Sequence, residues 1–402
     1  MLKHLTAAPH RVMFFGGAIQ SLAVMLWWTW ELATRYGIVG QPVDWAVSPS
    51  AAHVYLMLYS LLPFFMFGFL MTTFPRWMAG KEIPAKLYVS ASALLLLGVA
   101  SLYVGLVFGV ALLAVAVICT LAGWGVALYA LVRVLRDTRP GDKRHPIVLA
   151  IAFALGWCGL ASYLAWLLTD RSGFLNFSIQ SGLWFFLMPV FASVAHRMIP
   201  FFTSNALSQP NVPRPFWPWW TMLAASVAHG VLSFMGAGDW LWLCDAPHAV
   251  AALYLSHLWG FRRSLSNPLL AVLHVGFLWM GIAMLLFALQ SIVAFACDRS
   301  IWSLAPLHAL TLGCYATLMI GMGTRVTLGH SGLPFNIDTP LKLMFIGMQG
   351  VALIRVLADM LPIQAGYLWY IASALGWLVC FFPWVVRYLP AYWRPRADGQ
   401  PG

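Results

Sequence analysis

The residues of this chain best suited to chemistry lie between Leu307 and Pro334, in LHALTLGCYATLMIGMGTRVTLGHSGLP. The stretch is apolar, carries His308 near its start, and ends on Arg325 and His330 at an Arg-x4-His spacing. A titratable ring in hydrocarbon is costly unless something satisfies it, so it marks function by default. Imidazole is a favoured ligand of haem iron and of copper. His308 therefore points to a bound metal, a haem or a polar partner on a neighbouring helix. His308, Tyr315, Met319, Met322 and Arg325 stand at offsets of 0, 7, 11, 14 and 17. That spacing makes one helical face, expected to look into the protein rather than at lipid.

Those side chains need elements to hold them, and composition names the solvent. Of 402 residues, 61% are apolar and 9% charged, whereas a soluble domain is clothed by about 25% charge. Lipid must therefore do most of the solvating. Runs of about 20 apolar residues match the hydrocarbon thickness of a bilayer. Twelve occur, near 12–34, 51–74, 86–108, 111–136, 146–169, 176–200, 216–236, 239–260, 268–295, 302–324, 339–361 and 366–389. Only a short turn near Gly109 separates the third from the fourth.

Loop charges test that count. Taking alternate sides, nineteen Lys and Arg share the side of the N-terminus, while Arg35, Arg171 and Arg299 lie on the other and Arg355 lies within a span. Lys and Arg prefer cytoplasmic loops. The chain is thus expected to be an all-α integral membrane protein, with about twelve transmembrane helices in one bundle and both termini cytoplasmic. The net charge of +11 is this bias, and it favours anionic inner-leaflet lipid. Charge-poor spans leave no basic face for nucleic acid. Residues 1–393 read as one polytopic membrane domain and 394–402 as a short disordered C-terminal tail. No cleavable signal pattern opens the chain, so the first span is expected to remain as a helix. The six cysteines form no C-x-x-C pair and read as small buried residues, although Cys244 and Cys297 fall close enough to the outer surface to pair.

Depth along the spans sorts the histidines into two layers. His53, His229, His248 and His308 fall in the outer half, and His196, His257, His274 and His330 in the inner; His4, His10 and His145 read as surface residues. Two layers suit two metal centres, or one haem and one copper; the alternative is that individual rings bond to backbone or hydroxyls, as polar groups between membrane helices do. Asp245 precedes His248 by one turn and is placed to receive its ring N–H as an outer-shell carboxylate. Arg355 with Asp359, and Glu31 with Arg35, are spaced as intrahelical ion pairs; Arg355 alternatively suits a haem propionate.

At these residues a resemblance appears. HALTLGCYATLMIGMGTRVTLGHSG (308–332) resembles the late motif of the NnrS family, a histidine-bearing helix followed by R-x3-GH-[ST]-G. HRMIPFFTSNAL (196–207) is similar to its GR-x-IP-x-FT-x-N stretch, FGFLMTTFPRWMAG (67–80) to its GFLLTA-x-P-x-W segment, and PLLAVLHVGFLWMGIAMLL (268–286) to a segment with His274 in an LH-x-G-[FY] position. The resemblance implies a twelve-helix bacterial inner-membrane protein carrying haem, expected as b-type, and copper, linked to nitric oxide and nitrosative stress. Two departures stand out: the family's H-x-H-E at the second helix reads His53-Val54-Tyr55-Leu56 here, and His196 replaces a usual glycine.

Two readings follow. The first is a haem protein, also binding copper, that meets nitric oxide arriving through lipid and acts on it by redox chemistry or senses it. Its expected cofactor-binding residues are His53, His308, His274 and Arg355, and its expected metal ligands His229, His248, His196 and His330. His53 and His308, on the second and tenth spans, repeat the helix numbers of the bis-histidine haem in haem–copper oxidases, whose H-H and H-P-x-V-Y patterns are absent here. The second is a transporter, or a metal or haem assembly factor; against a carrier, no Lys is buried and most acids sit at span edges.

Overall fold

The computed structural model describes residues 2–138, 141–208, 211–361 and 363–399, the side chains of 363–365 excepted. Every regular element among the described residues is helical. Ten helices are long and apolar enough to cross a membrane: α1 (Pro9–Arg35), α2 (Pro49–Trp77), α3 (Ala85–Phe108), α4 (Val110–Asp137), α5 (Arg144–Thr169), α6 (Ser172–Ala206), α9 (Pro268–Cys297), α10 (Ala305–His330), α11 (Thr339–Met360) and α12 (Gly366–Tyr392). The seventh and eighth expected spans are also helices, α7 (Phe216–Phe234) and α8 (Trp242–Leu258). They fall outside the ten for physical reasons. At about 1.5 Å per residue, the 17 residues of α8 stop short of a ~30 Å hydrocarbon core, and α7 opens on the weakly hydropathic Phe-Trp-Pro-Trp-Trp.

Three helices loosen locally into π geometry: Leu56–Leu61 in α2, Ser181–Leu187 in α6 and Ala309–Ala316 in α10. Such wide turns are rare and gather at functional sites. His308 directly precedes the α10 segment, and His53 lies three residues before the α2 segment. The wider turn also corrects the expected stripe on α10, because an α-helical period cannot be carried unbroken from His308 to Tyr315.

Packing divides the chain into two compact units, one of Met1–Leu187, Val326–Pro334 and Val385–Gly402, the other of Met188–Arg325 and Phe335–Trp384. In the first, α3 and α4 lie side by side around a one-residue turn at Gly109, whose φ of 122° suits glycine. Their contact is built on small residues, as membrane helix pairs require. A Cβ on Gly98 would meet Thr120 Oγ1 and, at 2.9 Å, the Ala116 carbonyl oxygen; one on Gly123 would meet the Ala91 carbonyl oxygen at 2.9 Å. The opposite faces carry exposed Leu97, Val104, Phe108, Val115 and Ile118, a surface suited to acyl chains. Phe67, Trp124, Phe153 and Phe186 pack edge-to-face or tilted at centroid distances of 4.6–5.8 Å.

In the second unit α8 packs on both α7 and α9, and α9 packs on the π segment of α10. Gly313 lies under the Trp279 indole and Gly281 against Leu253. Trp279 donates its indole N–H to Gln349 at 2.9 Å, and Gln349 donates to Thr317 at 3.1 Å. The six cysteines are free thiols, Cys244 buried and Cys297 exposed, so the pairing left open for them is not formed.

Leucine at Gly98 cannot fit without driving α3 from α4. Gly98→Leu is expected to lower stability by about 1–3 kcal/mol, read as a lower unfolding temperature in detergent. An unchanged temperature would show that the α3–α4 contact is looser than its geometry.

Candidate functional site

The most enclosed polar cluster lies where α7 meets α8. His229 Nδ1 stands 2.6 Å from Asp245 Oδ1, and the Cys244 sulfur lies 3.7 Å from the same oxygen, its thiol nearer the Leu241 carbonyl oxygen at 3.0 Å. Asp245 is wholly buried and His229 nearly so. An ionised carboxylate only accepts, so His229 donates from Nδ1 and keeps the lone pair on Nε2. One ligand atom from each of His229, Cys244 and Asp245 fits within a 4.8 Å cluster. Asp245 Oδ2 and both ring nitrogens of the buried His248 have no hydrogen-bond partner. A buried polar atom left unpaired costs free energy, and three together ask for something to bind. Asp245 sits in the first turn of α8, where the helix dipole favours a negative charge. The sequence paired Asp245 with His248, one turn on; the structure pairs it with His229 across two helices, leaving His248 bare.

A second centre forms on α10 and α11. His308 Nδ1 lies 2.7 Å from Asp359 Oδ2 and 3.0 Å from the Leu304 carbonyl oxygen. Arg355 Nη1 reaches the other oxygen, Asp359 Oδ1, at 2.6 Å, and its guanidinium lies over the Tyr370 ring at 4.2 Å. The intrahelical ion pair expected at this spacing is present, with a histidine added to it. Anchoring through Nδ1 fixes the ring and leaves Nε2 as its free electron pair, the arrangement that orients a metal-ligating imidazole.

The remaining expected residues are dispersed. His274 Nε2 is 2.9 Å from Thr203 Oγ1 on α6, which joins two of the segments noted in the sequence. His196 Nε2 meets the Pro215 carbonyl oxygen at 2.9 Å and stacks on Trp219 at 5.6 Å. His53 stacks on Trp28 at 4.0 Å between centroids, close to where Arg35 and the Trp45 indole N–H both bond Glu31. His53 and His330 belong to the first unit, and His196, His229, His248, His274 and His308 to the second. Of the expected metal ligands, His229 stands in the cluster with Cys244 and Asp245, and His248 lies buried one turn further along α8, outside it. His10 and His145 are buried, at 2% and 0% exposure, and not at the surface; a position near a helix start does not reveal what packs over it. His10 lies against His330 with ring centroids 4.5 Å apart, a pairing no spacing in the sequence announces.

The donor sets fit the groups the sequence suggested. His229, Asp245 and Cys244 offer nitrogen, oxygen and sulfur to a transition metal. His308 offers one anchored imidazole, as an axial haem ligand requires.

A family model described as NnrS protein matches residues 4–396, nearly the whole chain. No curated protein matches the chain.

Asp359 holds both His308 and Arg355. Asp359→Ala strands a buried guanidinium and is expected to cost about 3 kcal/mol, measured by thermal unfolding in detergent. Replacing Arg355 by Leu in the same chain should recover most of the loss. A double variant no more stable than Asp359→Ala would show that the ion pair is not what Asp359 supports.

Proposed function

The chain belongs to the NnrS family, and on that footing we propose that it is a multi-pass inner-membrane haem protein, with a copper centre, that acts in the response to nitric oxide and nitrosative stress. In this reading α7 and α8 cross the membrane with the other ten helices and both termini are cytoplasmic. The observation that carries it is His308: its ring is locked through Nδ1 by a carboxylate that Arg355 already neutralises, and Nε2 is left for a ligand. His53, stacked on Trp28 and followed by its own π segment, is proposed as a haem ligand in its unit.

When bound, haem iron takes a diatomic ligand and exchanges one electron, and copper supplies a second one-electron centre. The chain's own residues do the rest. Asp359 holds the His308 tautomer and raises the basicity of Nε2. Arg355 fixes that carboxylate and keeps its remaining N–H groups for a propionate. His229, Asp245, Cys244 and His248 form the proposed copper pocket; His196 is left out of it, its Nε2 being turned to the Pro215 carbonyl. His274 with Thr203 braces α6 against α9 beside these centres. Nitric oxide is small and apolar, so it needs no polar channel and reaches a site between helices through lipid.

A reduced-minus-oxidised optical spectrum of the purified protein, with metal analysis, tests this reading. A Soret band and stoichiometric copper are expected. His308→Ala and His53→Ala should each alter the haem spectrum, whereas His248→Ala and Asp245→Asn should lower copper and leave the Soret band. Absence of both haem and copper would sink the proposal and favour a transporter.

A further inference from the structure

A separate cluster in the first unit holds more positive charge than its surroundings balance. His10 is in the first turn of α1, Arg76 in the last turn of α2, and His330 is the last residue of α10. The two imidazoles face each other at 4.5 Å. His10 is tied to α2 by its backbone N–H, which donates to Thr72 Oγ1 at 3.2 Å, with Nδ1 3.4 Å from the same oxygen. Thr72 gives its own hydroxyl hydrogen to the Gly68 carbonyl. It therefore accepts from His10 Nδ1, and His10 Nε2, buried, is left with no partner.

Three guanidiniums surround the pair. Arg11, Arg76 and Arg396 act electrostatically on both rings, and among the described residues no carboxylate does. Arg396 is neutralised by two bonds to Asp398, at 2.9 and 2.6 Å. Among the described residues no carboxylate pairs with Arg11. It is 1% exposed, its Nη1 bonds only the His4 and Arg394 carbonyl oxygens, and its Nε has no partner. It also lies in the first turn of α1, where the helix dipole opposes a cation. Arg76 and His330 end their helices, which the dipole favours; Arg11 has no such excuse. A buried cation without a counter-charge is among the costliest features a fold can carry.

We propose that His10, Arg11, Arg76 and His330 form a binding site for a phosphate-type oxyanion, supplied by an anionic lipid headgroup or by free phosphate. The anion accepts from Arg11 Nε–H and the exposed Arg76 fork, with the buried, unpartnered His10 Nε2 as the third group of the site. Charge-assisted bonds of this kind are the strong ones. All four residues sit at helix ends, the depth at which lipid phosphates lie, and the charge asymmetry of the loops puts that end at the anionic leaflet. A divalent metal on the two imidazoles would instead meet the repulsion of Arg11 and Arg76.

The test is thermal unfolding of the full-length protein in neutral detergent, with inorganic phosphate, dioleoylphosphatidylglycerol or dioleoylphosphatidylcholine titrated in. Saturable stabilisation by phosphate and by the anionic lipid identifies an open oxyanion site. Stabilisation by the anionic lipid alone, and not by the zwitterionic one, identifies a headgroup site. Either supports the proposal when Arg76→Gln, an exposed change that leaves the core intact, weakens the effect about tenfold or more and Arg76→Lys restores part of it. The proposal is overturned if neither probe stabilises the protein or if Arg76→Gln responds like the parent. It is equally overturned if the site takes up copper or zinc stoichiometrically, in a way lost in His10→Gln but kept in Arg76→Gln. Haem spectra play no part in these readings, so this test and that of the proposed function fail separately.

Discussion

A carboxylate buried among apolar helices must be met by a proton donor, and both centres of the second unit are built around that requirement. Asp245 takes the N–H of His229, and Asp359 takes that of His308 and pairs its charge with Arg355. The two His–Asp bonds each cross from one helix to another, so the bond that satisfies the acid also sets which helix faces meet. It does a further thing to the imidazole. By claiming Nδ1 it fixes the tautomer and turns the ring. Stability and chemistry here rest on the same hydrogen bond, and neither acid can be removed without disturbing both.

The helices accommodate these bonds by close approach in some places and widening in others. Glycines at 276, 281 and 313 let α9 lie against its neighbours with side chains filling the space a Cβ would need. Just after His308 the α10 helix opens into π turns, which rotate the following residues relative to an α-helical register. Tyr315 is thereby set flat against Phe191, at 4.2 Å and 5° between planes, while Arg325, further along, rests over the Phe202 ring at 3.9 Å. The stripe foreseen on α10 is thus real in part, with its members partnered separately.

Hydropathy made most of the fold legible, since period and length respond directly to the solvent. Every expected span has a helix over it, and Gly109 marks the α3–α4 turn as expected. The ion pairs Arg35–Glu31 and Arg355–Asp359 were equally legible, because residues four apart on one helix meet whatever else happens. Pairings between helices were not. His229 and Asp245 stand sixteen residues apart on two helices, and His10 and His330 are separated by almost the whole chain. Depth along a span set His229 in one layer with His248, whereas the cluster His229 joins is completed by Cys244 and Asp245. It failed for His10, whose place at a helix start suggested solvent when neighbouring chain covers it. The signal that was missed is the adjacent Arg11: a His-Arg pair opening an apolar helix had already placed two costly groups where little water reaches.

The two centres differ most in how their negative charge is balanced. Asp359 has a guanidinium 2.6 Å away, so that centre is close to neutral and presents one imidazole of fixed direction. In the proposed reading such a site would hold a flat macrocycle whose metal brings its own four nitrogens, since it has no charge left over for a free cation. Asp245 meets a histidine and a thiol but no guanidinium or ammonium among the described residues. Its second oxygen has no hydrogen-bond partner among the described residues. A net negative, sulfur- and nitrogen-lined pocket of that kind is suited to a naked metal cation, whose charge supplies what Arg355 supplies at the other centre. In the proposed reading, the presence or absence of one arginine is what would separate a haem at α10–α11 from a copper at α7–α8.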